Sequence, residues 1–158
     1  MKIYSFQTLQ TLPLSGQQAW DFLSNPVNLN LITPQEMDFR ITSSIKLEKM
    51  YAGQIISYTV RPLAGIPINW VTEITHVNAP FHFVDEQRFG PYAFWHHQHF
   101  LKEVPGGIEM RDIVHYALPL GFLGRMANAL LVKNQLRKIF DFRHKKLEGL
   151  FGRISVLT

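Results

Sequence analysis

Two long strands joined by a tight turn form the part of the sequence that most restricts the fold. They run from Phe89 to Pro119, with Val104-Pro105-Gly106-Gly107 between them. Proline presets one backbone dihedral and glycine tolerates a positive φ, so these four residues predict a hairpin turn. A three-residue loop with a bulge would shift the pairing of the strands by one residue. A four-residue turn predicts the pairs Glu103 with Ile108, His99 with Asp112, His97 with Val114 and Trp95 with Tyr116.

A third strand, residues 81–89, extends this sheet across a turn at Gly90-Pro91. Side chains alternate between the two faces of a strand, so the pairing sorts them into two rows. One row is polar and aromatic and contains His82, Glu86, Trp95, His97, His99, Asp112 and Tyr116. The other row contains Phe81, Phe83, Phe94, Phe100 and Ile113, together with Asp85, His96 and His115.

The polar and aromatic row is expected to face the interior of the fold. The phenylalanines of the other row then form an exposed apolar patch, which is a candidate homodimer interface. If the phenylalanines faced the interior instead, the pocket would centre on Phe94, His96, Gln98 and His115.

The composition predicts one domain over residues 1–158, since this length is enough to bury a full core. There is no cysteine, which excludes disulfides, thiolate chemistry and cysteine metal sites. The first ten residues, MKIYSFQTLQ, alternate polar and apolar side chains instead of forming the apolar stretch of a secretory signal. No apolar run approaches the length of a membrane span. We therefore expect a soluble cytoplasmic protein.

Positive charge is concentrated near the C-terminus. Residues 1–119 hold 8 Lys and Arg against 10 Asp and Glu, whereas residues 120–158 hold 8 against 2. The favoured interpretation is the solvated face of a helix, and the alternative is contact with an anionic membrane surface or an acidic partner. No nucleic-acid partner is expected, because no known binding motif accompanies the charge.

The predicted elements are one strand, two short helices, six strands and a long helix. Ser15 and Gln18 form a capping box that begins the first helix, and the second covers Val27 to Ile32. From Leu120 an apolar stripe with helical period predicts an amphipathic helix of about 30 residues. The stripe contains Phe122, Met126, Ala129, Leu136, Phe140 and Leu147. The strands cover residues 2–12, 36–45, 53–61, 66–77, 81–89, 92–103 and 108–118.

This order predicts an α+β fold in which a curved, seven-stranded antiparallel sheet packs against the long C-terminal helix. A sheet long enough to curl around a helix rarely fills its whole interior. Because the inner row is polar and aromatic, we expect a ligand cavity between the sheet and the helix.

Four motifs, in order along the chain, carry a family resemblance. They are Ala19–Pro34 (AWDFLSNPVNLNLITP), Phe83–Gln87 (FVDEQ) followed by Gly90-Pro91, the alternation Trp95-His97-His99, and Met110-x-Asp112-x-Val114-x-Tyr116-x-Leu118-Pro119 leading into Gly121 and Gly124. With these motifs nearly the whole chain resembles the START-like, or SRPBCC, helix-grip superfamily, close to its polyketide cyclase-like and coenzyme Q-binding-like branch. The resemblance implies a hydrophobic cavity between the sheet and the helix. It does not imply one reaction, because relatives include lipid carriers, hormone receptors and aromatases.

The polar row has three possible interpretations. His82, His99 and Asp112 are the side-chain types that bind a zinc- or iron-like ion, but no tight ligand spacing within one element supports a metal site. A His-Asp pair also suits general acid–base catalysis, in which the carboxylate fixes the tautomer and raises the imidazole pKa. The favoured interpretation is structural, a hydrogen bond between buried partners. We expect no metal and no cofactor.

Two functions from different classes remain. The first is binding or carriage of a small hydrophobic or aromatic molecule of the quinone, polyketide or lipid class. The second is a polyketide cyclase- or dehydratase-like enzyme, with His99 as acid–base, Asp112 orienting it and Tyr116 donating to a developing enolate. Binding is favoured because no activated nucleophile, phosphate loop or cofactor fingerprint is present. The predicted ligand-binding residues are Glu86, Trp95, His97, His99, Asp112, Tyr116, Phe122 and Met126.

Overall fold

The computed structural model describes residues 1–43, 49–61, 65–121, 123, 126 and 131–154. The helices bounded within these residues are α1 (Gly16–Leu23), α2 (Lys133–Phe151) and two 3₁₀ helices, Pro26–Asn30 and Gln35–Met37. The strands are β1 (Tyr4–Leu12), β2 (Arg40–Ile41), β3 (Gln54–Val60), β4 (Ile68–Asn78), β5 (His82–Phe89), β6 (Phe94–Val104) and β7 (Gly107–Ala117).

All seven strands form one antiparallel sheet in the order β1-β7-β6-β5-β4-β3-β2. The sheet curves around α2, so the predicted α+β fold with a seven-stranded sheet and a long C-terminal helix is confirmed. The first strand of the chain pairs with the last, which places the N-terminal strand β1 beside the hairpin of β6 and β7.

The β6–β7 hairpin has the pairing that the Pro-Gly turn predicts. Val104 pairs with Gly107, which leaves Pro105 and Gly106 as the two turn residues. Gly106 has a φ of 83°, a conformation that glycine adopts without steric cost. Gly107 is also restricted, because a Cβ there would collide with the carbonyl oxygen of Leu12. All four predicted pairs are present: Glu103 with Ile108, His99 with Asp112, His97 with Val114 and Trp95 with Tyr116.

The predicted pairing of β5 with β6 is wrong by one residue. Asp85 pairs with His97, and Phe83 pairs with His99. The connection is longer than the tight turn expected at Gly90-Pro91, and the side chain of Gln87 forms hydrogen bonds across it. Gln87 Nε2 donates to the carbonyl of Tyr92 at 2.7 Å, and its Oε1 accepts from the Tyr92 amide at 3.2 Å.

This one-residue shift exchanges the faces of β5. Phe83 and Asp85 face inward, so Phe83 is buried and is not part of the exposed apolar patch predicted for it. Glu86 lies on the outer face, where its carboxylate is near His96 and Arg88, and His82 stacks on Phe100 on that same face. The predicted inner positions of His82 and Glu86 are therefore wrong.

The N-terminal elements are confirmed in part. The capping box of Ser15 and Gln18 begins α1, with both reciprocal hydrogen bonds present. The strand predicted over residues 36–45 is confirmed only as the two-residue strand β2, and its first two residues belong to a 3₁₀ helix instead. Asp38 ends that helix with a φ of 42°, and its carboxylate accepts hydrogen bonds from Arg40 and Arg61. Asp tolerates this left-handed conformation better than most residues, which explains the break. Residues 44 and 45 lie outside the described part.

The apolar stripe of the C-terminal helix faces the sheet. Leu136, Phe140 and Leu147 are buried, and the Phe140 ring is 5.0 Å from that of Phe6 on β1. The helix bounded by the structure begins at Lys133, and the described residues 121, 123 and 126 of its predicted first part are also helical. Phe122 and Ala129 lie outside the described residues. No helix in the described part of the chain is both long and apolar enough to cross a membrane.

Candidate functional site

A cavity of about 200 Å³ lies between the inner face of the sheet and α2. Strands β3 to β6 supply one wall, and α2 and the segment after α1 supply the others. The lining is mostly apolar and aromatic, as expected for a site that binds small organic molecules. It includes Phe22, Leu29, Ile56, Val60, Trp70, Phe83, Tyr92, Trp95, Leu136, Ile139 and Phe140.

A cluster of two histidines and two aspartates forms a polar region on the sheet side of this cavity. His97 and His99 are two residues apart on β6, so both face inward. Asp85 is opposite His97 on β5, and Asp112 is opposite His99 on β7. Three adjacent strands, consecutive in the sequence, therefore bring the four side chains together.

Each imidazole in this cluster contacts both carboxylates. His97 Nε2 is 3.0 Å from Asp112 Oδ1, and its Nδ1 is 3.2 Å from Asp85 Oδ2. His99 Nε2 is 2.9 Å from Asp85 Oδ2, and its Nδ1 is 2.8 Å from Asp112 Oδ1. The centroids of the two imidazole rings lie 3.8 Å apart, and the Phe83 ring stacks on that of His99 with a centroid distance of 4.0 Å. The four side chains thus form a closed ring of polar contacts beneath an apolar cavity.

Burial and charge shift the pKa values of this cluster in opposite directions. Burial lowers the pKa of His97, but the adjacent carboxylates of Asp85 and Asp112 outweigh it and raise that pKa to about 9. Burial raises the pKa of both aspartates, but the two imidazoles outweigh it and hold both well below their usual range. At neutral pH both aspartates are therefore ionised and His97 is cationic.

Arg143 brings a second positive charge to the cluster from α2. Its Nη1 lies 3.8 Å from Asp112 Oδ1, and its guanidinium lies over the ring of Phe140 at 4.7 Å. Arg143 is buried and lines the cavity. Its Nε has no hydrogen-bond partner among the described residues. The Arg143 guanidinium is therefore only partly compensated by its contacts with the described residues, and an anionic or oxygen-rich ligand would satisfy its Nε–H.

Aromatic side chains with polar tips lie beside the cluster on the same sheet wall. The Tyr58 hydroxyl is 3.1 Å from Thr72 Oγ1, and burial raises the pKa of Tyr58 and of Tyr92, so both phenols remain neutral. Trp95 Nε1 donates to Asp85 Oδ1 at 3.4 Å. Trp70 Nε1 is buried and has no partner within the described ranges. This wall therefore offers aromatic faces together with a few hydrogen-bond donors.

The structure separates the predicted site residues into four groups. Trp95, His97 and His99 line the cavity as expected. Asp112 lies behind the two histidines, and Tyr116 is buried against Tyr4 and Tyr92. Asp112 and Tyr116 are not among the described lining residues. Glu86 is on the outer face, and Met126 is 47% exposed and does not line the cavity. Phe122 lies outside the described residues.

Two residues of the site, Asp85 and Arg143, were missed by sequence reasoning. Asp85 was assigned to the opposite face because the β5 register was wrong. Arg143 left a visible signal, since it lies three residues after Phe140 and four before Leu147, inside the apolar stripe. A charged residue at such a position indicates either a paired buried charge or a ligand contact.

The sequence matches no protein-family model and no curated protein. Solved structures, however, share its fold. Protein CV1439 from Chromobacterium violaceum superposes with a TM-score of 0.72 at 10% identity, over 95% of this chain and 98% of that one. TTHA0849 from Thermus thermophilus gives 0.68 at 11% identity, over 92% and 95% of the two chains. Ara h 8.0201 gives 0.59 at 14% identity, over 94% and 99%. At such low identity the similarity establishes the helix-grip fold alone.

Proposed function

We propose that the protein binds or carries a small hydrophobic or aromatic molecule in the cavity between the sheet and α2. The observation that carries this proposal is an apolar and aromatic cavity of about 200 Å³ with a charged cluster in one wall. An apolar pocket with a few convergent polar groups is the usual form of a small-molecule site. The resemblance to polyketide cyclase-like and coenzyme Q-binding-like proteins supports a ligand of the quinone, polyketide or lipid class.

The size of the cavity favours a ring system over a long chain. An apolar cavity of about 150 Å³ is large enough to bind benzene. A volume of about 200 Å³ therefore suits one or two rings, and an acyl chain would have to extend beyond it. The aromatic faces of Trp70, Tyr92 and Trp95 can stack on such rings.

The polar groups of the wall favour a ligand with oxygen acceptors. Trp70 Nε1 and Arg143 Nε are donors that lack a partner among the described residues. Leaving a buried donor unsatisfied costs about 1–3 kcal/mol, so a carbonyl, phenolate or carboxylate placed near it would gain that amount. We expect the oxygen-bearing end of the ligand to lie near Arg143 and His97, and its apolar part to lie toward Val60.

Native mass spectrometry of the purified full chain tests this proposal first, by detecting a copurified small molecule. A thermal-shift panel of naphthoquinones, aromatic polyketides and fatty acids then tests which chemical class of ligand the cavity binds. A ligand at about 100 times its Kd stabilises by about 2.7 kcal/mol, and each kcal/mol raises Tm by about 2–4 °C for a chain of this size. If no panel member shifts Tm and nothing copurifies, the proposal fails.

A matched pair of variants locates the binding. Ile56→Trp fills the cavity from β3, and Ile55→Trp places the same side chain on the exposed face one residue away. We expect the first to abolish the thermal shift and the second to preserve it. Equal loss in both variants would place binding outside the cavity.

The charged cluster supports an acid–base enzyme as the second candidate. His97 and His99 both line the cavity, each in contact with two carboxylates. A cyclase or dehydratase would use one of them to move a proton at the carbon next to a carbonyl. A neutral phenol donor would come from Tyr58 or Tyr92, since Tyr116 lies behind the wall. If His99→Gln retains the ligand but loses its conversion, the enzyme replaces the carrier.

A further inference from the structure

Asp85, His97 and His99 hold three metal-binding atoms close together beside the cavity. One ligand atom from each residue lies within 4.8 Å of the others. Asp85 Oδ2 is 3.2 Å from His97 Nδ1 and 2.9 Å from His99 Nε2. Zinc bonds to nitrogen and oxygen of about 2.0–2.2 Å at tetrahedral angles separate the ligand atoms by about 3.3 Å. We infer that these three side chains bind a divalent transition metal ion of the zinc or iron type.

Asp112 supplies the outer support that such a site needs. Its Oδ1 is 3.0 Å from His97 Nε2 and 2.8 Å from His99 Nδ1, the ring nitrogens that face away from Asp85. A histidine that binds a metal through one nitrogen almost always donates its other N–H to a carboxylate or carbonyl. One carboxylate here accepts from both histidines, and once the ion displaces the second proton of His97, this contact fixes both tautomers for binding on the Asp85 side.

Two further contacts hold the carboxylates in place. Trp95 Nε1 donates to Asp85 Oδ1, which leaves Asp85 Oδ2 for the ion. Arg143 Nη1 lies 3.8 Å from Asp112 Oδ1 on the opposite side of the cluster. Ligands fixed by such outer contacts bind metal without the cost of ordering flexible side chains.

The ion has an open coordination position that faces the cavity. Asp85, His97 and His99 all line the cavity, whereas Asp112 is not among the described lining residues. Two histidines and one carboxylate with open positions are the ligand set of catalytic zinc sites and of non-haem iron sites. Water, or an oxygen of a bound molecule, would complete the coordination.

The charges around the ion specify the class of that molecule, a step that rests on the proposed function. The carboxylates of Asp85 and Asp112 balance a divalent ion, and Arg143 adds a positive charge beside them. The site with its ion therefore has excess positive charge. We expect the coordinated group to be an anionic oxygen donor, such as a carboxylate, phenolate or enolate.

This ligand set corrects the one that the sequence suggested. The unfavoured metal interpretation of the sequence joined His82 to His99 and Asp112, but His82 lies on the outer face of β5. The shift of β5 replaces it with Asp85 and adds His97. Without an ion, the same four side chains would share protons with one another around the ring of contacts. The experiment distinguishes this metal-free cluster from the metal-bound site.

Calorimetric titration of Zn²⁺ into the full, chelator-treated chain tests the inference. We expect one Zn²⁺ per chain, with Asp112→Asn weakening binding by about 10- to 100-fold. His99→Gln should weaken it more than Asp112→Asn does, and His96→Gln, on the outer face of the same strand, should leave it unchanged. Absence of binding to the wild-type chain, or equal losses in His96→Gln and His99→Gln, would overturn the metal site.

A second measurement on the wild-type chain needs no variant to fold. Zn²⁺ should shift the NMR signals of ring nitrogens in His97 and His99 and leave those of His96 and His115 in place. If the outer histidines respond and the inner pair does not, the inference is wrong. No organic ligand is present in either assay, so a negative result is distinct from a failure of the cavity-binding proposal.

Discussion

The two faces of β6 place neighbouring histidines in opposite environments. The His97 side chain is 6% exposed and has a carboxylate oxygen within 3.2 Å of each ring nitrogen. The His96 side chain is 28% exposed, and its Nε2 lies 3.8 Å from Glu86. The residues are consecutive and identical in type, so the difference in their chemistry comes entirely from which face each one occupies.

This comparison shows how burial changes the importance of an ion pair. Charges on the outer face are hydrated, and their pairs contribute about 0–1 kcal/mol each. Charges on the inner face have lost most of their hydration, so each depends on its partners. The inner cluster is therefore where a single substitution has the greatest effect on the molecule.

The largest expected effect is that of Asp112→Ala. It leaves the positive charges of His97 and Arg143 buried beside one remaining carboxylate, and breaking a buried pair in this way costs about 3–5 kcal/mol. Glu86→Ala is the outer match and should cost about 0–1 kcal/mol. Urea unfolding of the metal-free proteins measures both. Equal costs would show that the two faces do not differ as described.

The second-largest effect is expected from alkaline pH, which should reduce the stabilisation that the inner cluster provides. The pKa of His97 is raised from 6.5 to about 9 in the folded protein, so its contribution to stability is complete below pH 6.5 and is lost as pH rises through about 9. The free energy of unfolding of the metal-free chain should therefore fall across this window. His96→Gln should keep the decline and His97→Gln should flatten it, as measured by urea midpoints from pH 6 to 10. A flat wild-type profile would contradict the assigned charge.

Gln87→Ala should have an intermediate effect. The substitution removes two hydrogen bonds to the backbone of Tyr92, each contributing about 0.5–1.5 kcal/mol, for a loss of about 1–3 kcal/mol. Gln98→Ala on the outer face of β6 is the control and should change stability by no more than about 0.5 kcal/mol. Hydrogen exchange of the β5 and β6 amides would show whether Gln87→Ala loosens the strand pairing. Gln98→Ala should leave the exchange of these amides unchanged.

The smallest effect is expected for Arg88→Ala. Arg88 is half exposed and bridges Glu73 and Glu86 on the outer face, so we expect a loss of about 0–1 kcal/mol. Added salt should reduce that loss further, because exposed pairs are screened. The cost of Asp112→Ala should hardly change with salt. A strongly salt-dependent cost for Asp112→Ala would show that water reaches the inner cluster.

Local chemistry was enough to predict the β6–β7 hairpin. Pro105 and Gly106 form a two-residue turn whose geometry depends only on those residues, so the β6–β7 pairing follows from the sequence. The capping box at Ser15 and Gln18 is local in the same sense. The inward position of His97 and His99 follows from the same pairing and from the placement of the helix.

The pairing of β5 with β6 and the position of Arg143 depend on contacts that local patterns do not contain. The β5–β6 connection contains hydrogen bonds from the Gln87 side chain to the backbone of Tyr92, five residues away, and turn propensities do not include such a contact. Asp85 was misplaced for this reason. Arg143 is visible as a charge in the apolar stripe, but no local pattern indicates that its Nη1 lies 3.8 Å from Asp112 Oδ1 on another element.

The Gln87 contact has a consequence for how this site changes in evolution. Deleting one residue between Gly90 and Ala93 would slide β5 along β6 and exchange its faces. Asp85 and Phe83 would turn outward, and Glu86 and His82 would replace them inside. The strand thus carries two alternative linings, and the length of one loop selects between them. A change of ligand preference would then need only an insertion or deletion in this loop, without any substitution in β5.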